Sequence, residues 1–395
     1  MPMKPIAWLI ATCTSMLLAA CAADIRNAVP AGITDQVEVQ GLGRVRTWGD
    51  VEIPHIERIS EIRLKQIKDT RPGVLSQTKR KVSYLAISGG GSDGAFGAGF
   101  LAGWTASGDR PEFEIVTGVS TGALIAPFAF LGSRYDRQLK EIYTRYSTDD
   151  LMKKQVLAGL LGGSAVSDNA PMADLIAKYV TSSFLEEIAR EHEKGRRLLI
   201  GTTNADQERP VIWDLGLIAQ KRTPQSLTLF RRILLASSAL PGLFPPVHIK
   251  VADTNGTTYE EMHIDGGVTD NTFLLPLHLN FDELDKLYKV RWNRRLYILA
   301  NAKTAPTRKV VANSTFEIAG RSINTMIRQQ LEGDLLKLYL RAKSNRIAYQ
   351  LADIPASFDA PSNEAFDKEY MKKLYEVGYE AARNGYDWKA KPPGI

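Results

Sequence analysis

KVSYLAISGGGSDG at Lys81–Gly94 and EIVTGVSTG at Glu114–Gly122 decide how this chain is read. In each, an apolar run of strand type ends in glycines and opens onto small, apolar residues suited to a helix. The pattern is strand, tight turn and helix, twice over. The second turn holds Ser120 between Gly118 and Gly122. Glycine's freedom at positive φ permits a reversal sharp enough to leave a serine hydroxyl exposed at a helix N-terminus. Ser120 is therefore a candidate nucleophile. In the first turn Gly89, Gly90 and Gly91, with Gly94 following, let the backbone approach a substrate closely. Successive N–H groups at a helix start form a nest for negative charge. The same glycines fit a dinucleotide-binding GxGxxG loop, with Glu114 twenty residues on. Glu114, however, begins a strand, whereas a ribose partner ends one.

Outward from these turns, strands are expected near 81–88, 114–117, 196–203, 210–214, 260–264 and 294–300. Helices are expected near 95–106, 122–131, 136–147, 171–190, 225–238, 311–345 and 363–386. Such alternation predicts an α/β domain with a largely parallel sheet covered on both faces. The main α/β domain is expected over 81–300, with a helical part over 301–395 packing on it. Phe96 and Trp104 are expected in the core. Gln155–Gly163, apolar and glycine-rich, reads as an interfacial flap or a buried loop.

A serine hydroxyl needs a base. None of the five histidines, His55, His192, His248, His263 and His278, is convincingly placed for it. His278 alone follows Asp265, as the order of an α/β-hydrolase with a histidine base requires, but it sits in an apolar run behind a proline. Asp265, at the end of strand 260–264 and followed by Gly266 and Gly267, would lie on the sheet edge where open α/β folds hold ligands. Asp-Gly is also a common turn signal, and both readings stand at this point.

The glycine-rich turn, the GxSxG elbow and Asp-Gly-Gly, in this order, resemble the patatin-like phospholipase family. Ala236–Pro246 (ASSALPGLFPP) is similar to a segment those enzymes carry between elbow and aspartate. The resemblance covers roughly residues 81–275. It implies a three-layer α/β/α sandwich and a Ser120–Asp265 dyad without histidine. It also implies oxyanion N–H groups from Gly90 and Gly91, no metal, no cofactor, and a phospholipid or other lipid-ester substrate. One position departs from the pattern. Asp93 stands where the family usually has Arg or Lys, and a carboxylate facing a developing oxyanion would oppose it; either Asp93 points away, toward an arginine, or the activity is low or specialised. A non-catalytic envelope protein using this fold as a binding module is the reading from another class.

Lys and Arg number 50 against 44 Asp and Glu, a net charge of +6 with no long basic run and no basic-aromatic motif. Nucleic acid is not an expected partner. Residues 1–20 combine a positive start, an apolar core too short to span a bilayer, and Leu18-Ala19-Ala20-Cys21. This resembles a bacterial lipoprotein signal, which implies acylation of Cys21 and anchoring at the outer membrane. Cys13 would leave with the signal, and the mature chain would hold no disulfide. Residues 21–50 read as a tether. Residues 51–80 read as an amphipathic extension, with Ile53, Ile56, Ile59, Ile62 and Ile67 at near-helical spacing.

Overall fold

The computed structural model describes residues 26–77, 80–154, 165, 167–274, 281–306, 308 and 310–395. Cys21, His278 and the expected flap at 155–163 lie outside the described residues. The strands are β1 (Glu38–Val39), β2 (Arg46–Trp48), β3 (Lys81–Ile87), β4 (Phe113–Val119), β5 (Lys153–Lys154), β6 (Ser167–Asp168), β7 (Arg197–Asn204), β8 (Arg209–Asp214), β9 (Val247–Ala252), β10 (Thr258–Asp265), β11 (Asn293–Ala300) and β12 (Ala348–Asp353). β5 and β6 pair only with each other. The longer helices are α1 (Ile56–Thr70), α2 (Gly94–Ala106), α3 (Thr121–Leu131), α4 (Asp136–Arg145), α5 (Ala170–Tyr179), α6 (Ser182–Glu193), α7 (Pro224–Ser237), α8 (Phe281–Tyr288), α9 (Thr315–Ser344) and α10 (Lys368–Arg383).

The centre of the sheet is parallel, in the order β12-β11-β3-β4-β7. Six of the seven residues of β3 and all seven of β4 are buried, as strands covered on both faces must be. One hydrophobic cluster joins α2, α3, α6, α7 and α10 to one face. The other face carries α1, α8 and α9. This is the expected three-layer α/β/α arrangement.

Beyond β7 the sheet turns antiparallel, through β10, β9 and β1. Two expectations change here. Residues 21–50 are not a free tether from residue 26 onward, because Val37, Val39, Leu42 and Val45 are buried and β1 and β2 hydrogen-bond to β9 and β8. Nor is 301–395 purely helical, since Ala348–Asp353 joins β11 as the parallel edge strand β12. Their short length and mixed polarity hid these strands from periodicity alone.

α2 is buried nearly all round, including Phe96 and Trp104, and lies against α10. Its small residues permit this closeness: a Cβ on Gly99 would come 2.0 Å from the Tyr375 carbonyl oxygen, and one on Gly103 2.0 Å from that of Tyr379.

Candidate active site

Ser120 caps α3 with φ 55° and ψ −126°, a left-handed backbone that a serine adopts only under constraint. Two glycines supply the constraint. A Cβ on Gly118 would lie 2.3 Å from the Gly122 oxygen, and one on Gly122 2.3 Å from the Ile87 oxygen, so the turn closes only without side chains at both. The Ser120 N–H donates to Ser237 Oγ at 2.9 Å, and Ser237 Oγ donates to the Gly201 carbonyl at 2.6 Å. The Ser238 hydroxyl donates to the Ser120 carbonyl at 3.3 Å. Both anchors come from the C-terminal end of α7, where the Ala236–Pro246 resemblance begins. A serine that holds a distant backbone leaves no local signal in the sequence.

Asp265 reaches Ser120 through the strand register. β8 pairs with β7 over residues 199–204, while β4 pairs with residues 197–201 and must occupy the opposite edge. β10 pairs with residues 202–204, which β8 also covers, so β10 lies on the edge that β4 has just vacated. β4 and β10 therefore meet almost end to end along β7. Val119 is opposite Gly201 and Asp265 opposite Thr202, which leaves the elbow serine and the aspartate adjacent. The strand carrying Asp265 is thus antiparallel, not a member of the parallel set as expected. It reaches the same edge because β7 overshoots β4 by three residues.

Asp265 is buried beside Ser120, whose hydroxyl favours the charged carboxylate, and accepts the Gly267 N–H at 2.8 Å. Burial pushes its carboxyl up to about 6, against the pull of the Ser120 hydroxyl and the Gly267 N–H. No described histidine bonds Ser120. His263, two residues before Asp265, shares hydrogens with Thr202 and Glu261 instead.

The glycine loop closes the site on its other side. A Cβ on Gly89 would lie 3.1 Å from Ser120 Cβ and 3.3 Å from Asn271 Oδ1. Gly90, at φ 159°, passes so close to Asn301 that a Cβ there would be 2.0 Å from its carbonyl oxygen. Gly91 also has positive φ, 58°. The Gly89 N–H is bound to the Asn271 carbonyl at 3.2 Å, whereas the Gly90 and Gly91 N–H groups have no acceptor among the described residues. Gly94 opens α2 against the Thr121 side chain, and Gly266 approaches the Gly201 oxygen. Asn271 was not singled out in the sequence. Its backbone is held by Asp334 on α9, its Oδ1 is buried without a partner among the described residues, and it touches the space of Gly89 and Gly267.

Glu114 does not serve a nucleotide. It is buried at the start of β4, in ion pairs with Arg71 and Arg80 at 2.9 and 3.0 Å that hold its carboxyl down at about 2 against burial.

A family model for patatin-like phospholipases matches residues 85–278, the stretch that carries both glycine turns and Asp265. Residues 85–278 belong to the patatin-like phospholipase family. Patatin-like protein 2 of Oryza sativa subsp. indica is 26% identical over 209 residues, 49% of this chain and 51% of its own. Patatin-15 of Solanum tuberosum is 25% identical over 214 residues, 50% of this chain and 52% of its own. The chain spans about half the length of the curated relatives it matches. Among solved structures, VipD from Legionella pneumophila has a TM-score of 0.37 and 12% identity over 78% of this chain and 66% of its own. Human GIVD cytosolic phospholipase A2 has a TM-score of 0.37 and 10% identity over 86% and 64%.

Within the patatin-like domain Asp93 has a partner, and it is not an arginine. The Tyr370 hydroxyl on α10 donates to its Oδ1 at 2.6 Å, and Lys303 favours its charge. Burial outweighs both and pushes the carboxyl up to about 6. A carboxyl raised in the folded state favours folding when protonated, a contribution present below about pH 4 and lost as pH rises through about 6. Asp93→Asn, which keeps an acceptor for Tyr370, is accordingly expected to raise the melting temperature at pH 8 and leave it unchanged at pH 4. Thermal unfolding at the two pH values measures this, and equal shifts at both would contradict it.

Proposed function

We propose that this chain is a lipid acyl hydrolase acting on phospholipid or a related lipid ester through an acyl-enzyme on Ser120. The observation that carries the reading is the placement of the buried Asp265 carboxyl beside Ser120, where the ends of β10 and β4 meet along β7. Asp265 takes the serine proton as Ser120 Oγ attacks the acyl carbonyl. The oxyanion that forms is received by the free N–H groups of Gly90 and Gly91, each such donor contributing roughly 3 to 4 kcal/mol. Asp265 then gives the proton to the departing alcohol. Water completes the cycle: Asp265 accepts its proton, the hydroxide attacks the acyl carbon, and the proton returns to Ser120 as the fatty acid leaves. A fluorophosphonate probe tests the reading directly. It should label the parent chain and fail to label Ser120→Ala; an unlabelled parent chain would favour the binding-module reading.

The base must be ionised to act. With its carboxyl raised to about 6, turnover should fall as pH drops below about 6 and level off above it. A pH profile of kcat/KM checks this, and a flat profile between pH 5 and 8 would remove Asp265 from the role of base.

The N-terminal segment supports a further part of the reading: Cys21 is acylated and anchors the protein at the outer membrane. Incorporation of a labelled fatty acid should disappear in Cys21→Ser, and its persistence would exclude that residue.

A further inference from the structure

A second cavity, of about 810 Å³, lies between α1, the segment 34–56 and one face of the sheet. Its size is within the roughly 300–1,000 Å³ of small-molecule sites. Neither Ser120 nor Asp265 lines it. The wall residue Ile115 precedes Ser120 by five positions on β4 and its turn, about 16 Å along an extended chain.

Exposed apolar side chains stand in its walls beside the exposed Asp35, Arg44, His55 and Arg58. Among the described residues before the active-site loop at 266–268, the large hydrophobic side chains left exposed are Val51, Ile59 and Ile62, and all three line this cavity. Ile59 and Ile62 are 40% and 50% exposed on α1, a helix that buries Leu64 and Ile67. Apolar side chains gathered around an open volume are stabilised by an apolar occupant.

Arginines outnumber carboxylates in the lining, and Arg44, Arg46, Arg197 and Arg209 are each ion-paired. Six arginines and three carboxylates line it. Arg63 is 8% exposed; its Nε donates to the Gly195 carbonyl, and its Nη2 is buried with no hydrogen-bond acceptor among the described residues. The nearest carboxylate, Glu114, is 3.8 Å from that nitrogen and already holds Arg71 and Arg80. A buried guanidinium with an idle N–H beside an apolar chamber has the chemistry to receive a carboxylate with a long hydrocarbon tail.

We propose that this cavity binds a long-chain fatty acid anion, with the carboxylate at Arg63 and the chain along Ile59 and Ile62. The proposal does not rest on hydrolysis at Ser120.

Titration of the full chain with dansylaminoundecanoate, followed by displacement with hexadecanoate or hexadecanol, tests it. The acid should displace the probe at least ten-fold better than the alcohol of equal length. Arg63→Met should weaken probe binding by ten-fold or more. Ile59→Glu, on an exposed position that leaves the fold alone, should do the same by placing a like charge at the mouth, and it stands in if Arg63→Met does not fold. Binding should persist in Ser120→Ala and in a parent chain blocked with fluorophosphonate. Equal displacement by acid and alcohol, unchanged binding in Ile59→Glu, or loss of binding on blocking Ser120 would each overturn the proposal. An unreactive Ser120 combined with acid-selective binding would instead remove the hydrolase reading and leave this one standing.

Discussion

Ser120→Ala is expected to lower lipid-ester turnover by about 10³-fold or more, because it deletes the atom that forms the acyl-enzyme. Asp265→Asn should lower it to a similar extent, since general-base assistance contributes on the order of 10² to 10⁴-fold and the elbow supplies no other described base. The two variants differ in stability. Asp265 rises from the ordinary 3.8 to about 6 in the fold, so its ionisation opposes folding above pH 6 by roughly 3 kcal/mol. Asparagine keeps an acceptor for the Gly267 N–H and removes that opposition. Asp265→Asn should therefore be inactive and more stable at pH 8, whereas Ser120→Ala should be inactive with a melting temperature close to that of the parent. Turnover of a short-chain ester and thermal unfolding of the same preparations decide this. A dyad variant that retains a tenth of parental turnover would refute the assignment, and an Asp265→Asn chain that melts earlier at pH 8 would refute the electrostatic account.

Gly99→Leu is expected to be the most damaging single change to the fold. Its Cβ alone would sit 2.0 Å from the Tyr375 carbonyl oxygen, and backbone on a buried helix cannot yield as a flexible side chain can. The substitution must push α10 away from α2 and open the cluster that includes Trp104 and Phe100. Overpacking of this kind exceeds the usual range of about 1 to 3 kcal/mol, and we expect a loss above about 4 kcal/mol or no soluble protein. Gly333→Ala serves as the control. Nothing lies within 4 Å of its Cβ position within α9, and removing a mid-helix glycine should stabilise by about 0.5 to 1 kcal/mol. Soluble, normally melting Gly99→Leu would show that the two helices are not held at the distance described.

The elbow was legible because its cause is local. Gly118 and Gly122 flank the serine, and the clashes that exclude a side chain there come from Ile87 and from the turn itself. The glycine loop was legible for the same reason, although the sequence alone also allowed a nucleotide reading. That alternative ended only when Glu114 proved to be paired with Arg71 and Arg80 beneath the sheet. The partner of Asp93 was out of reach, since Tyr370 is 277 residues away and belongs to a helix whose position depends on the glycines of α2.

The sequence by itself marked the candidate nucleophile, the glycine turn beside it and the α/β class, all of which follow from steric rules acting over a few residues. Tertiary structure decided which carboxyl group stands beside the serine. Asp265 arrives on an antiparallel strand, and it stands beside Ser120 only because β7 runs three residues past the end of β4 and offers that stretch of edge to β10. Register of this kind is set by pairing between strands about eighty and about sixty residues apart in the chain. No local pattern encodes it. The same holds for Ser237, Asn271 and the arginine-flanked cavity, each created by segments that meet only once the sheet has closed.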